Sequence, residues 1–312
     1  MAVGGGELPG ATGERTTRGT PMSVVVTGAT GQLGRLAVEA LIARGRAPGA
    51  ITAAGRNADR LAELGEAGVA TARIDFDDPD TLEEAFRGAD ALLLVSGSEV
   101  GARELQHRNA IEAARKAGVN HIVYTSVVKA GETTLILAPE HALTEEMLAA
   151  SGVPYTVLRN GWYSELFEAE LQQAEQSGSF LGSAGKGEVA AASRADLAEA
   201  AAAVLADPAP HAGAVYELTG DRAWTNDEVA AELTELLGRP VEYRDLPAEE
   251  HAEALMDEGL DDGTVRFLVD LDRNKLDGEL ALVTGDLSRL LGRPATTLSE
   301  TLRSLYRDGT AQ

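Results

Sequence analysis

The segment that most restricts the fold lies at residues 24–34. Val24-Val25-Val26-Thr27 is apolar and β-branched, and it runs straight into Gly28-Ala29-Thr30-Gly31-Gln32-Leu33-Gly34; an amphipathic stretch then continues to Arg44. A strand that feeds a helix through so short a turn needs backbone positions that glycine fills at least steric cost. The G-x-x-G-x-x-G spacing gives each glycine a task. Gly28 permits the tight turn, Gly31 lets the backbone approach a bound pyrophosphate, and Gly34 lets the helix pack against the strand. Amide groups at the helix start, with the helix dipole behind them, suit phosphate oxygens.

Such a motif gains its meaning from context. Strand-like runs at 50–54, 71–74, 91–96, 121–126 and 155–158 alternate with helix-like runs at 57–66, 79–87, 103–117 and 140–150. Asn57 and Asp78 stand at N-cap positions, and Gly118 ends the 103–117 helix. The run ALLLVS at 91–96 is apolar up to its final serine, as a strand covered on both faces should be. This alternation predicts an α/β fold: a doubly wound parallel sheet of the Rossmann kind, with ligands at the carboxyl ends of its strands. Residues 1–21 read as a disordered leader and residues 22–160 as the dinucleotide-binding unit. Residues 161–312, partly interleaved with that unit, read as a smaller C-terminal α/β lobe on the substrate side. In the last segment, helices at 194–205 and 226–237 and strands at 215–218 and 241–245 are expected.

Composition removes several function classes. The net charge is −23 and no basic stripe is present, which argues against nucleic acid and anionic membranes as partners. Cysteine is absent, so disulfides, thiolate metal sites and cysteine nucleophiles are excluded, and no histidine spacing suggests a metal. No apolar run approaches the ~20 residues of a membrane helix, and the first residues lack a secretory core. A cytoplasmic location is expected; a homodimer is compatible with the sequence.

The residue after the second strand selects the nucleotide. Sites for NAD commonly place an acid there to bond the ribose 2′-hydroxyl. Here "ITAAGRN" carries none, and Arg56 occupies the position; a guanidinium binds a 2′-phosphate that a carboxylate would repel. NADPH (NADP) is therefore the expected cofactor. Asp75 and Phe76, ending the third strand, stand where an adenine ring would lie, although a turn acid and a core aromatic fit the same pattern. Ser96, Ser98 and Glu99 follow the fourth strand, either approaching the ribose and nicotinamide or forming a plain turn.

With the glycine turn, "SGSEVGARELQHRNAIEAA", "HIVYTSV" and "RNGWYSE" in place, the sequence resembles the NmrA-like branch of the atypical short-chain dehydrogenases. Within it, the chain resembles more closely the bacterial NAD(P)H:quinone oxidoreductases of type 2, and it is similar to the triphenylmethane dye reductases. The resemblance runs from about residue 23 to near the C-terminus. It implies that Gly28 and residues 31–34, with Thr30, wrap the pyrophosphate and that Arg56 takes the 2′-phosphate. It also implies that Ser98, Glu99, Val100 and Arg103 line the ribose–nicotinamide side. Asn160, Gly161, Trp162, Tyr163 and Ser164 then belong to a loop, continuing to Leu166, over the nicotinamide and the substrate.

The chemistry expected differs from ordinary alcohol dehydrogenation. Lysine occurs only at 116, 129, 186 and 275, never four residues after a tyrosine, so the usual Tyr-x-x-x-Lys proton relay is missing. Ser126 occupies the serine position. His141 and Glu145, one helical turn apart, fall roughly where tyrosine and lysine would lie, either as a polar pair near substrate or as a surface pair. A quinone accepts hydride readily and forms a delocalised oxyanion, so a site for it needs mainly proximity, orientation and a dry slot. Asn160, Trp162 and Tyr163 are the residues expected to shape that slot, with Trp162 alternatively a core plug. The reading is a flavin- and metal-free NADPH-dependent quinone reductase; a non-catalytic redox sensor and a reductase of another conjugated substrate are the alternatives.

Overall fold

The computed structural model describes residues 22–97, 99 and 101–310, leaving out the side chains of residues 308 and 310. The leader, Ser98 and Val100 lie outside the described residues. Through residue 160 the chain alternates without exception: β1 Val24–Val26, α1 Gln32–Ala43, β2 Ile51–Gly55, α2 Ala58–Glu66, β3 Ala70–Arg73, α3 Pro79–Phe86, β4 Ala91–Leu94, α4 Arg103–Ala117, β5 His121–Val127, α5 Ala138–Ala150 and β6 Tyr155–Asn160. The signals read from sequence operate locally. Asn57 Oδ1 accepts the Arg60 amide at 3.0 Å, Asp78 caps α3, and Gly118 closes α4 in the left-handed region at φ 76°.

After β6 come α6 Glu168–Ser177, β7 Ser179–Gly182, β8 Glu188–Val189, α7 Arg194–Ala206, β9 Val215–Leu218, β10 Trp224–Thr225, α8 Asn226–Leu237, β11 Glu242–Asp245, α9 Ala248–Asp257, α10 Asp262–Leu276, α11 Asp286–Leu291 and α12 Leu298–Thr310. The main sheet is β3-β2-β1-β4-β5-β6-β9, parallel throughout, with Val24 in register with both Ile51 and Ala91. The chain reverses its direction of travel across the sheet between β1 and β4, and this opens a crevice at their carboxyl ends.

Alternation along β1 sends Val24 and Val26 into the core under α1 and α7, and Val25 into the core under α3 and α4. Alanines make the first core thin: Ala37 on α1 and Ala198, Ala201 and Ala202 on α7 are all buried in it. Two elements from beyond residue 160, α7 and β9, are thus built into the sheet unit, with α11 packed beside them. The remaining chain forms a lobe around Phe167, Leu171, Phe180, Trp224 and Leu271. Two small strand pairs, β7 with β11 and β8 with β10, brace it; β7, β8 and β10 were not anticipated from their short runs. No helix among the described residues is long and apolar enough to cross a membrane.

Candidate functional site

The crevice between β1 and β4 is a cleft of about 380 Å³ whose floor is the glycine turn. Gly28 adopts φ +61°, a conformation other residues take only with strain. A Cβ on Gly34 would lie 2.2 Å from the Gly28 carbonyl oxygen, so the helix start is pressed against the turn at a distance that no side chain allows. Gly31, the N-cap, offers no side chain to the first-turn amides, which also lack acceptors within the helix. They remain available to an anion. Arg60 Nη1 holds the Thr30 carbonyl at 2.8 Å and pins the turn from α2. Gly55 matters equally: a Cβ there would meet the Thr30 side chain at 2.8 Å. The sequence reading passed over both Arg60 and Gly55.

Thr30, Gln32, Leu33, Arg56, Asp75, Phe76, Ser96 and Glu99 join the three glycines in lining this cleft, as does Tyr163. Arg56 stands at its mouth with its side chain 65% exposed, and Nη1 lies 2.7 Å from Glu99 Oε1. Arg56 and Gln106 together hold the Glu99 carboxyl below its usual range. Asp75 lines the cleft, and its Oδ1 accepts the Asp77 amide at 3.0 Å in a turn. Phe76 stands edge-on to the His107 ring.

A second cavity of about 650 Å³ opens from the first, sharing Ser96, Gly97, Tyr163 and Arg194. Asn160, Gly161 and Trp162 line this cavity and not the cleft. Arg194, at the start of α7, is the main residue that the sequence reading missed. Its guanidinium lies 4.4 Å from the centre of the Tyr163 ring and faces both spaces. Only a helix starting at residue 194 was legible, and that signals no ligand. Burial raises the Tyr163 phenol, against the opposing pull of Asn160 and Arg194, so it keeps its proton.

Other expected residues take different positions. Arg103 is buried and lines the cavity; its Nε and Nη2 donate to the Gly97 carbonyl at 3.1 and 2.9 Å, and Nη1 meets Glu140 at 2.5 Å. It positions the loop after β4 from the cavity side. Ser164 is fully buried and lines neither space. His141 and Glu145 are separated as a pair. Glu145 takes the Ser126 hydroxyl at 2.6 Å and a two-point contact from Arg159 at 3.0 and 2.7 Å, which makes it a structural anchor. Ser126 lines the cavity with its proton already committed to that contact.

His141 lines the cavity with its Nδ1 2.6 Å from the Tyr124 hydroxyl. Burial, reinforced by the nearby Arg103 charge, pushes this imidazole down to about 3, while burial pushes the Tyr124 phenol up. Both groups are therefore neutral at ordinary pH. The donor and acceptor roles in this contact follow the imidazole tautomer: where the phenol donates to Nδ1, the ring proton sits on Nε2, which makes no hydrogen bond among the described residues. His107 is a structural counterpart: Nε2 accepts the Gly97 amide at 3.1 Å, and Nδ1 contacts Thr144 at 3.0 Å.

Residues 28–208 match a family model described as NAD(P)H-binding. The chain is 46% identical to quinone oxidoreductase 2 of Escherichia coli (strain K12), over 91% of this chain and 98% of that protein. A crystal structure of the NADPH-dependent E. coli enzyme complexed with NADPH superposes with a TM-score of 0.86, covering 91% of this chain and 99% of that one. An NmrA-like family domain-containing oxidoreductase of Aspergillus flavus is 30% identical, over 91% of this chain and 95% of its own length. The Citrobacter sp. triphenylmethane reductase complexed with NADP(H) is 35% identical with a TM-score of 0.86, covering 91% of this chain and all of that one.

Proposed function

The chain belongs to the NAD(P)H-binding, NmrA-like family, and from that premise we propose that it reduces quinones with NADPH by direct two-electron transfer, without a flavin or metal intermediary. The observation that carries the proposal is the shared wall: Ser96, Gly97, Tyr163 and Arg194 border both the glycine cleft and the second cavity. A donor in one space and an acceptor in the other meet with no carrier between them. The near relationship to E. coli quinone oxidoreductase 2 supports the substrate class.

The residues present fit a phosphorylated dinucleotide. The cleft floor admits no Cβ at Gly34 or Gly55, the α1 amides face it, and Arg56 stands at its mouth without a carboxylate on β2. The chemistry supplied by NADPH, when bound, is hydride donation from its nicotinamide ring. The protein's own part is placement. Trp162, Leu166, Phe267 and Leu268 give the cavity flat apolar walls for a ring system, which exclude water and hold it in one orientation. Asn160, buried at the end of β6, presents a side-chain amide to the same space. His141 offers an Nε2 proton to an oxygen whose charge grows as hydride arrives, and Tyr124 fixes the tautomer that makes this possible. Being neutral, His141 donates a hydrogen bond without needing to titrate; the product oxyanion can take its proton from water afterwards.

The test is oxidation of NADPH by purified protein with benzoquinone or menadione and no added flavin. Equimolar consumption of NADPH and quinone, without oxygen uptake, is the expected result. Failure to oxidise NADPH with any quinone in a broad panel overturns the proposal. An azo or triphenylmethane dye as competing substrate separates quinone reduction from reduction of another conjugated acceptor.

A further inference from the structure

The cavity is larger than a quinone ring requires, and its far end differs in character from its apolar walls. There the lobe contributes Glu170 from α6, His251 from α9, and Asp272 and Lys275 from α10. The Lys275 and Asp272 side chains are each only 7% exposed and pair at 2.9 Å. Asp272 is fixed further by the Ser183 amide at 2.7 Å, and His251 Nδ1 lies 3.1 Å from the Ser183 hydroxyl. Glu170 is the exception: its Oε2 is sealed from solvent and has no hydrogen-bond partner. Burial also raises the Glu170 carboxyl, so that it tends to keep its proton. None of these groups reaches the glycine cleft.

Lys275 pairs with Asp272 and keeps donors to spare, and it lines this end of the cavity together with the Glu170 carboxyl, so a polar end closes otherwise apolar walls. Resting on the quinone reductase reading, we propose that Glu170 and Lys275 form a distal subsite for a hydroxyl group carried by the quinone on a substituent remote from the reacting carbonyl. A hydroxyl both donates and accepts, so it serves Glu170 and Lys275 together. A carboxylate substituent would face Asp272 and Glu170, an amine would face Lys275, and a plain hydrocarbon tail would cover all of them without satisfying any. The preferred substrate is therefore a hydroxylated quinone, and isoprenoid-tailed quinones are disfavoured.

The experiment uses benzoquinones that bear either an n-alkyl or an ω-hydroxyalkyl substituent of equal length, extended one methylene at a time. Steady-state kcat/KM is measured for each pair. Dissociation constants for the NADP⁺-loaded protein are read in parallel from tryptophan fluorescence quenching. At the length that spans the cavity, the hydroxyl member is expected to win by about tenfold, the scale of one charge-assisted hydrogen bond. Glu170→Met, similar in length but without a polar donor or acceptor of that kind, and Lys275→Met should each remove most of that preference. A hydrocarbon preference at every length overturns the subsite, as does a hydroxyl preference untouched by Glu170→Met. Absence of turnover with every quinone, unsubstituted benzoquinone included, sinks the reductase reading instead; the paired dissociation constants then still decide the subsite.

Discussion

Replacing Arg56 with alanine is expected to abolish most of the discrimination between NADPH and NADH. The guanidinium is the cation at the mouth of the cleft on the β2 side, and no carboxylate on β2 opposes a phosphate there. A charge-assisted hydrogen bond from arginine to phosphate contributes roughly 1.5–3 kcal/mol. Two features place this one near the lower limit. The side chain is 65% exposed, so water and salt screen it. Its Nη1 is also paired with Glu99 at 2.7 Å, and that contact must be exchanged when a phosphate arrives. At about 1.4 kcal/mol per decade, the NADPH dissociation constant should rise about tenfold in Arg56→Ala while that of NADH stays nearly constant. Glu99→Gln should act in the opposite sense, strengthening NADPH binding by roughly threefold through loss of a competing exposed charge. Both effects should shrink as salt is raised. Isothermal titration of each variant with both cofactors reads these changes directly. An unaltered NADPH:NADH ratio in Arg56→Ala would refute the reasoning and move attention to Arg60, which already touches the turn.

Three further outcomes are expected. His107 and His141 are each pushed down to about 3 by burial; unfolded, they titrate near 6.5. The unfolded chain therefore takes up protons that the folded one refuses, and stability falls as pH drops below about 6.5, by up to about 1.4 kcal/mol per pH unit for each ring. Thermal melts between about pH 6.5 and 5, above the range of most carboxyls, measure this, and a flat profile would mean that the buried rings are charged. Gly34→Ala places a methyl 2.2 Å from the Gly28 carbonyl oxygen, so a loss of about 1–3 kcal/mol is expected together with weakened NADPH binding. Gly49→Ala, with nothing within 4 Å, is the control that should leave both unchanged. Trp162→Ala should raise the KM for quinone by about tenfold by removing a wall of the cavity, with NADPH affinity retained because Trp162 does not line the cleft; weakened NADPH binding in that variant would contradict the division of the site.

Local physics made much of the molecule readable. Asn57, Asp78 and Gly118 end or begin helices through bonds made within a few residues of themselves, so a linear pattern is enough to find them. The glycine turn and the residues closing β2 and β3 belong to the same class, because the carboxyl end of a parallel strand is where a crevice must open. What escaped was non-local. Ser126 appears free to reach a substrate until Glu145 and Arg159, brought together from α5 and β6, claim its proton. His141 and Glu145 share a helix and only one turn separates them, yet packing gives one to Tyr124 and the cavity and the other to Arg159.

Periodicity and glycine spacing alone determined that this chain forms a parallel α/β sheet with a phosphate cradle at its first crossover, since strand pitch, helix pitch and positive φ are written in neighbouring residues. Only the tertiary structure decided what faces that cradle. Arg194 is set over Tyr163 there across a long stretch of chain, as Glu170 and Lys275 are brought to line the second cavity. Their chemistry depends on shared burial, a property of the packed whole that no sequence window carries.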